Sequence, residues 1–294
     1  MNAVVYYAKK RKKEERMYTF LRFPEFKRKA VTLSYDDGTP DDKRLVEIID
    51  KYGIKCTFNI NSELFPEVCG KGYRMPKDEV YELLATSCHE VAVHGAKHLC
   101  LTEVDKAMAT RDVIADRENL EKIFDRMVQG MAYANGATSD DVVQILKDCG
   151  IHYARTTVST EKFDVPTDWL RMPTTCHHKN PRLMELAKQF IETEEHWYHW
   201  ANRAMLFSLW GHSVEFSQAD NWHILEEFCS YVGNREDIWY ATNGEVYDYV
   251  QAYNRLEFSV DGNRIYNPTN TNIYLYYFGQ NVLVPKGETV VVTR

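Results

Sequence analysis

The sequence predicts an α/β fold in which a parallel sheet closes into a barrel, followed by a small antiparallel β appendage. Strand-like and helix-like segments alternate about seven or eight times, which favours parallel strands with helices outside them. An open doubly wound sheet is the alternative, but no glycine-rich phosphate-binding turn follows a strand to support it. After about Leu256, short alternating strands with Gly and Pro turns predict the appendage.

The predicted barrel strands are short, mostly apolar segments, as expected for strands buried on both faces. They lie at residues 30–35, 54–60, 90–93, 127–133, 151–154, 170–172, 205–210 and 238–241. We therefore divide the chain into an N-terminal extension at 1–29, a barrel at 30–255 and a β appendage at 256–294, packed on the barrel. So short a sheet has little core of its own.

The predicted helices begin at capping signals and present apolar residues at helical spacing. Thr39-Pro40-Asp41-Asp42, for example, offers an N-cap, a proline and acids in the first turn, and Gly53 ends that helix. The helices are placed at about 39–53, 76–85, 102–124, 139–149, 181–191, 221–231 and 245–253.

Charge and cysteine content exclude several classes of protein. The net charge of -7 argues against a nucleic-acid or anionic-membrane surface, and the basic run Lys9–Lys13 is followed at once by two glutamates. The seven cysteines form no Cys-x-x-Cys pair, so neither a disulfide framework nor a zinc-thiolate cluster is indicated.

No apolar stretch is long enough to span a bilayer, and the short one at 3–8 precedes the basic run, the wrong order for a secretory signal. We therefore expect a cytoplasmic protein, unless a leader has been removed. The oligomeric state is left open.

The first predicted strand delivers two adjacent carboxylates, Asp36 and Asp37, to its C-terminal end, before Gly38. Adjacent side chains on an extended chain point to opposite faces, so the two acids are expected to have different roles. One could bind a metal while the other hydrogen-bonds to water on that metal. An ordinary Asp-Asp-Gly turn is the alternative.

Histidines follow two other predicted strands. His94 and His98 are four residues apart, and on a helical turn they would share one face. His212 follows the strand at 205–210. Because carboxyl ends of barrel strands meet at one mouth, two histidines and one carboxylate predict a zinc or first-row metal site with an open position for water. His212 could be the proton donor.

Three of these segments resemble motifs of the polysaccharide deacetylases, carbohydrate esterase family four. Ser34-Tyr35-Asp36-Asp37-Gly38, His94 to His98 and Leu209-Trp210-Gly211-His212 are similar to the first, second and fifth motifs, in the family's order. The resemblance covers about residues 30–253. It implies a distorted (β/α) barrel, typically of seven strands, that binds a divalent ion.

The resemblance also implies a role for each residue. Asp37, His94 and His98 would be the metal ligands, Asp36 the general base and His212 the general acid. The implied ion is Zn²⁺, with Co²⁺, Ni²⁺ or Mn²⁺ as alternatives, and metal-bound water would be the nucleophile that attacks an acetamide carbonyl.

The third and fourth motifs are imperfect. The third normally reads Arg-x-Pro-aromatic, but the best match is Ala132-Tyr133-Ala134-Asn135-Gly136, without Arg or Pro. A backbone oxyanion donor near Asn135 can survive this change, whereas the arginine that orients the base cannot. Asp168-Trp169 resembles the fourth motif, and Arg171 or Arg155 could replace the missing arginine.

Further substrate contacts are assigned to Tyr133, Trp169 and Trp210. The segment Thr174 to His178 is either a polar loop with two exposed histidines or a segment that brings His177 to the substrate pocket. The aromatic run at 192–200 is interpreted as a semi-exposed loop or helix end, and a platform for stacking on sugars is the alternative.

The predicted function is metal-dependent hydrolysis of an acetyl group, N-acetyl rather than O-acetyl, from a carbohydrate. The altered third motif keeps open a non-sugar amide, cyclic imide or ureide as substrate. A non-catalytic carbohydrate-binding homologue is the third alternative, but retention of Asp36, Asp37, His94, His98 and His212 argues against it.

Overall fold

The computed structural model describes residues 19–67, 73–194 and 202–293, and its centre is a nine-stranded parallel sheet. Short apolar segments form the strands and amphipathic segments form the helices outside them. The strands are β1 Thr19–Arg22, β2 Lys29–Asp36, β3 Cys56–Ile60, β4 Glu90–Val93, β5 Gly130–Ala132, β6 Tyr153–Ser159, β7 Met172–Thr174, β8 Cys176–His177, β9 Met205–Gly211, β10 Ile238–Tyr240, β11 Glu257–Phe258, β12 Arg264–Tyr266, β13 Ile273–Tyr277, β14 Gln280–Val284 and β15 Thr289–Val291.

The described helices connect these strands in the order that the sequence predicts. They are α1 Asp42–Lys51, α2 Lys77–Leu84, α3 Lys106–Phe124, α4 Asp140–Asp148, α5 Leu183–Glu192, α6 Val214–Gln218, α7 Trp222–Val232 and α8 Asn243–Asn254. The short elements β1, β8 and α6 are not among the predicted ones, because segments of two to five residues carry too little periodicity to be recognised.

The order of hydrogen-bonded strands makes the barrel a ring. The sheet runs β7-β6-β5-β4-β3-β2-β9-β8, and β7 and β8 are consecutive along the chain, so they join its two ends. The amide of Thr175, between them, donates to the carbonyl of Ser208 in β9 at 2.8 Å. Seven positions surround the barrel if β7 and β8 count as one, which confirms the predicted α/β barrel.

The ring is distorted at β2. The last four residues of β2 pair with β3, whereas its first three pair with β10. The other edge pairs with β9 from Lys29 to Tyr35. All eight residues of β2 are buried, so this strand carries the sequence Ser34-Tyr35-Asp36 through the middle of the molecule to the barrel mouth.

Two three-stranded antiparallel sheets follow the barrel, as predicted for the C-terminal segment. One contains β11, β12 and β15; the other contains β13, β14 and also β1 from the N-terminal extension. Ile265 and Leu275 from these sheets share a buried cluster with Phe23 and Tyr249. The tyrosine hydroxyl also donates to the carbonyl of Arg22 at 2.8 Å. The extension and the appendage therefore pack together against α8.

No helix in the described parts of the chain is both long enough and apolar enough to cross a membrane.

Candidate metal centre and active site

Strand order brings the predicted metal ligands to one place. Asp36 ends β2 and Asp37 follows it, while His94 follows β4. Parallel strands β2, β3 and β4 are neighbours, so their carboxyl ends lie side by side at the barrel mouth. The loop after β4 returns His98 to the same point, with the centres of the two imidazole rings 4.9 Å apart.

The two adjacent aspartates diverge. Asp37 has a positive φ of 84°, a conformation that is uncommon outside glycine, and its amide donates to the carbonyl of Asn59 at 2.9 Å. This turn aims Asp37 Oδ1 at His94 Nε2 and His98 Nε2, at 3.9 and 3.7 Å. The three side chains form a compact group of one carboxylate and two imidazoles, which we call the metal-type group.

The tautomer of His94 suits a metal ligand. Its Nδ1 lies 2.9 Å from the carbonyl oxygen of Ala132. Because a carbonyl can only accept, Nδ1 carries the proton and Nε2 presents its lone pair towards Asp37. Burial lowers the pKa of His94 and outweighs the raising effect of both aspartates, which favours the neutral form that a metal requires.

The described residues contain two other groups of side chains that could hold a metal. Neither presents a ring-nitrogen lone pair towards its carboxylate as His94 does. They are Asp50 with Cys88 and His89, and His177 with His212 and Glu215. His89 Nδ1 accepts the amide of Cys56 at 3.3 Å, and His177 Nδ1 accepts the amide of Lys179 at 3.1 Å. The proton of each neutral ring is therefore on Nε2, which faces a carboxylate at 3.2 Å. In both groups the ring nitrogen nearest the carboxylate therefore offers no lone pair to a metal.

Asp36 points into the barrel, towards Arg155. Arg155 Nη2 contacts both carboxylate oxygens, and Asn59 Nδ2 donates to Oδ1 at 2.8 Å. Burial alone would raise the pKa of Asp36, but the arginine charge, with smaller contributions from His94 and His212, lowers it. Asp36 is therefore an ionised carboxylate beside the metal-type group.

Arg155 is thus the arginine beside Asp36 in this chain. The sequence left the choice between Arg155 and Arg171 open. Arg155 is in β6 and fully buried, whereas Arg171 pairs with Asp140 and Asp168 at the surface. Nothing in the local sequence around Arg155 indicates its partner, which is 119 residues away.

His212 lies between Asp36 and Glu215. Its Nε2 is 4.0 Å from Asp36 Oδ2, and its Nδ1 is 3.7 Å from Glu215 Oε1. Burial acts to lower the pKa of His212, but Glu215 and the charges of Asp36 and Asp37 raise it overall. These carboxylates therefore favour the protonated imidazole relative to an isolated histidine.

Glu215 is a residue of this site that sequence reasoning missed. Its Oε2 lies 3.0 Å from His178 Nε2, and its Oε1 lies 2.8 Å from Lys179 Nζ. Burial would raise the pKa of Glu215, but three imidazoles and one ammonium group hold it well below its usual range. Its spacing of three residues from His212 was the available signal, since α6 begins there.

Trp210 and His177 lie beside these groups. The Arg155 guanidinium stands 4.6 Å from the Trp210 ring centre, and the His177 ring packs edge-on against the same indole at 4.5 Å. His177 belongs to β8 rather than to a polar loop, and His178 is buried rather than exposed, since its ring stacks on Phe216.

The structure does not bring the other predicted substrate residues to this group. The Tyr133 hydroxyl is buried and donates to the carbonyl of Leu170, and Trp169 packs against Tyr247 among residues at the amino ends of the strands. Asp168 is exposed and paired with Arg171. The loop from β6 back to β7 returns the chain to the opposite end of the barrel, which carries Asp168 and Trp169 away.

Asn135 stays near the mouth, in the turn after β5, with a positive φ of 59°. The aromatic run at 192–200 lies largely outside the described residues.

Arg74 is a second residue that sequence reasoning missed. Its Nη2 donates to Asp37 Oδ1 at 2.7 Å and to Asn61 Oδ1 at 2.8 Å. The guanidinium lies on the loop between β3 and α2 and places a positive charge at the rim of the metal-type group. A carboxylate oxygen can accept this bond and keep a second lone pair for another partner.

A buried carboxylate, Asp36, and an imidazole, His212, therefore lie beside a group of two histidines and one carboxylate at the mouth of an α/β barrel. Residues 24–154 match the family model for polysaccharide deacetylases. The predicted resemblance to the polysaccharide deacetylases is thereby confirmed for this segment of the chain.

Several solved structures are similar to this chain. A protein from Mycobacterium smegmatis assigned to the polysaccharide deacetylases is 15% identical, with a TM-score of 0.57 over 80% of this chain and 94% of that one. A family 4 carbohydrate esterase from Streptomyces lividans is 11% identical, with a TM-score of 0.49 over 71% and 90%. A family 4 pseudoenzyme from Bacillus anthracis is 14% identical, with a TM-score of 0.48 over 78% and 68%. The first of these supports the fold, and no curated protein matched the sequence.

Proposed function

We propose that this protein is a metal-dependent hydrolase that removes an N-acetyl group from a carbohydrate. One observation carries the proposal: Asp37, His94 and His98 form a metal-type group whose neighbours are the ionised Asp36 and His212, whose pKa is raised. The match of residues 24–154 to the polysaccharide deacetylase model supports an acetylated carbohydrate as the substrate.

The proposed metal ligands are Asp37, His94 and His98. Two imidazoles and one carboxylate suit Zn²⁺, and Co²⁺, Ni²⁺ or Mn²⁺ are alternatives. When bound there, such an ion would supply Lewis-acid activation of water and of the amide carbonyl.

The protein's own groups would then move the protons. Asp36, kept ionised by Arg155, would accept a proton from the attacking water. His212, whose pKa is raised, would donate a proton to the nitrogen as the bond between carbon and nitrogen breaks. The products are acetate and a free amino sugar. Trp210 would form one wall of the site beside both groups.

The proposal is tested by measuring metal binding and acetate release together. Metal-free protein is titrated with Zn²⁺, and acetate is assayed from N-acetylglucosamine oligomers and, in parallel, from small amides. We expect Asp37→Ala and His98→Ala to lose both properties. His223→Ala, an exposed histidine on α7, is the matched control and should keep both. Wild-type metal binding and hydrolysis in Asp37→Ala and His98→Ala would refute the proposal.

A further inference from the structure

The loop from His94 to His98 has little regular structure, yet both proposed ligands depend on its shape. Two of its residues have positive φ angles, 80° at Gly95 and 55° at His98. The loop is neither helix nor strand, so most of its backbone polar groups need partners from neighbouring elements. The supporting groups lie on α3 and at the end of β3.

Two carboxylates on one face of α3 accept the amide groups of this loop. Asp116 Oδ2 accepts the amide of His94 at 2.9 Å, an amide that it shares with the carbonyl of Ile60 at 3.1 Å. Asp116 Oδ1 accepts the amide of Ser62 at 2.7 Å. One turn earlier, Asp112 Oδ1 accepts the amide of Lys97 at 2.8 Å. Both aspartates are buried, 0% and 4% exposed, so neither is a casual surface contact.

The carbonyl groups of the loop are held from the other side. Asn61 Nδ2 donates to the carbonyls of His94 and Gly95, each at 2.8 Å. The amide of Ala96 donates to the backbone carbonyl of Asp112 at 3.2 Å. Amides are therefore fixed by α3 and carbonyls by the residue after β3, and the loop is clamped on both edges.

The fit between the loop and α3 leaves no room for a side chain at Gly95. A Cβ atom built there would lie 2.4 Å from Asp112 Oδ2. Together with the positive φ, this close approach requires glycine between the two histidines.

We infer that Asp116, assisted by Asp112, is a positioning residue that sets the geometry of the metal site through the backbone of His94 to His98. The inference rests on the proposed function, because it concerns the same site. Neither aspartate belongs to the group of proposed metal ligands. Each acts through the peptide groups that orient the two imidazoles, in the way that outer hydrogen bonds orient metal ligands generally.

Asp116→Asn is the sharpest test. The amide keeps the size of the side chain but has one acceptor oxygen instead of two, so its NH₂ group must face the amide of either His94 or Ser62. Glu118→Gln is the matched control, since it makes the same chemical change on the exposed face of the same helix. Asp112→Asn is the second variant, since the Asp112 side chain accepts one amide of the loop, that of Lys97.

The readouts are the affinity for Co²⁺ at pH 8 and the visible absorption of the bound ion, which reports coordination geometry. We expect Asp116→Asn to bind Co²⁺ about 10- to 100-fold more weakly with an altered spectrum. Asp112→Asn should show a smaller loss, and Glu118→Gln should match the wild type. Amide hydrogen exchange of the metal-free proteins should be faster at His94 in Asp116→Asn.

Wild-type affinity, spectrum and exchange in Asp116→Asn would overturn the inference and leave the proposed function intact. If Asp116→Asn does not fold, unchanged affinity and spectrum in Asp112→Asn would overturn it instead. A wild-type protein that binds no Co²⁺ or Zn²⁺ would overturn both the inference and the proposed metal dependence.

Discussion

Arg155 Nη2 lies 2.5 Å from Asp36 Oδ1, and both side chains are shielded from solvent inside the barrel. The arginine also donates through Nε to Ser34 Oγ at 3.2 Å, and Asn59 Nδ2 donates to the same hydroxyl oxygen at 2.9 Å. The carboxylate is therefore part of a polar network and not an isolated buried charge. This network explains how Asp36 stays ionised without a third-motif arginine.

Arg155→Gln should impair both stability and catalysis. Removing one partner of a buried ion pair leaves the other charge uncompensated, which costs about 3–5 kcal/mol of unfolding free energy. The pKa of Asp36 should rise, so the acid limb of the rate profile should move to higher pH. Urea unfolding and the pH dependence of acetate release measure the two effects.

Asp36→Asn combined with Arg155→Gln is the control for this pair. Because the double variant has no unpaired carboxylate, it should be less destabilised than the sum of the two single variants. Additive losses would mean that the contact between Arg155 and Asp36 contributes no coupling.

Glu215→Gln should lower the pKa of His212. The carboxylate charge helps to hold that pKa up, and an amide cannot replace it. If protonated His212 is the acid, the basic limb of the rate profile should move to lower pH. NMR titration of the His212 ring in metal-free protein measures the same shift without activity. His223→Ala should leave the titration unchanged, and an unchanged titration in Glu215→Gln would contradict the prediction.

Much of the fold could be predicted from the sequence because the barrel strands are continuous apolar runs. Strand β4 occurs at the predicted residues, and β2 and β9 lie within one or two residues of theirs. β8 could not be predicted, because a two-residue strand has no periodicity and exists only through its pairing with β9.

Some residues of the site could likewise be predicted from the sequence, and others could not. Asp37, His94 and His98 follow predicted strands, so their proximity could be deduced from the strand ends. Arg155 could not be assigned in this way, since its pairing with Asp36 depends on which face of β6 turns inward. The position of Trp169 likewise depends on the path of a loop, which local sequence does not determine.

The histidine tautomers predict a single strong metal site among the described residues. His177 Nε2 carries a proton and faces Glu215, so it should not serve as a ligand. We expect metal analysis to give one equivalent of zinc for the wild type and for His177→Ala and His89→Ala, and none for His94→Ala. Loss of zinc in His177→Ala with full retention in His94→Ala would contradict this prediction, because the ion would then bind to the group of His177, His212 and Glu215.

Asp42 should make the protein less stable as the pH rises. It is buried at the start of α1, accepts the Ser213 hydroxyl at 2.6 Å, and has its pKa raised to about 8, mainly by burial. Between the unfolded value of about 3.9 and about pH 8, the folded protein retains a proton that the unfolded chain releases. Stability therefore falls with rising pH in this window, by up to about 1.4 kcal/mol per pH unit for this group.

Asp42→Asn keeps the acceptor for Ser213 but cannot ionise, so its stability relative to the wild type should increase steadily from about pH 5 to about pH 8. Other buried acids such as Asp116 add their own slope, which the comparison of the two proteins removes. Asp78→Asn, at an exposed position in the first turn of α2, is the control and should follow the wild-type curve. Urea unfolding of metal-free proteins across this range provides the measurement, and parallel curves for wild type and Asp42→Asn would show that Asp42 is ionised in the folded state.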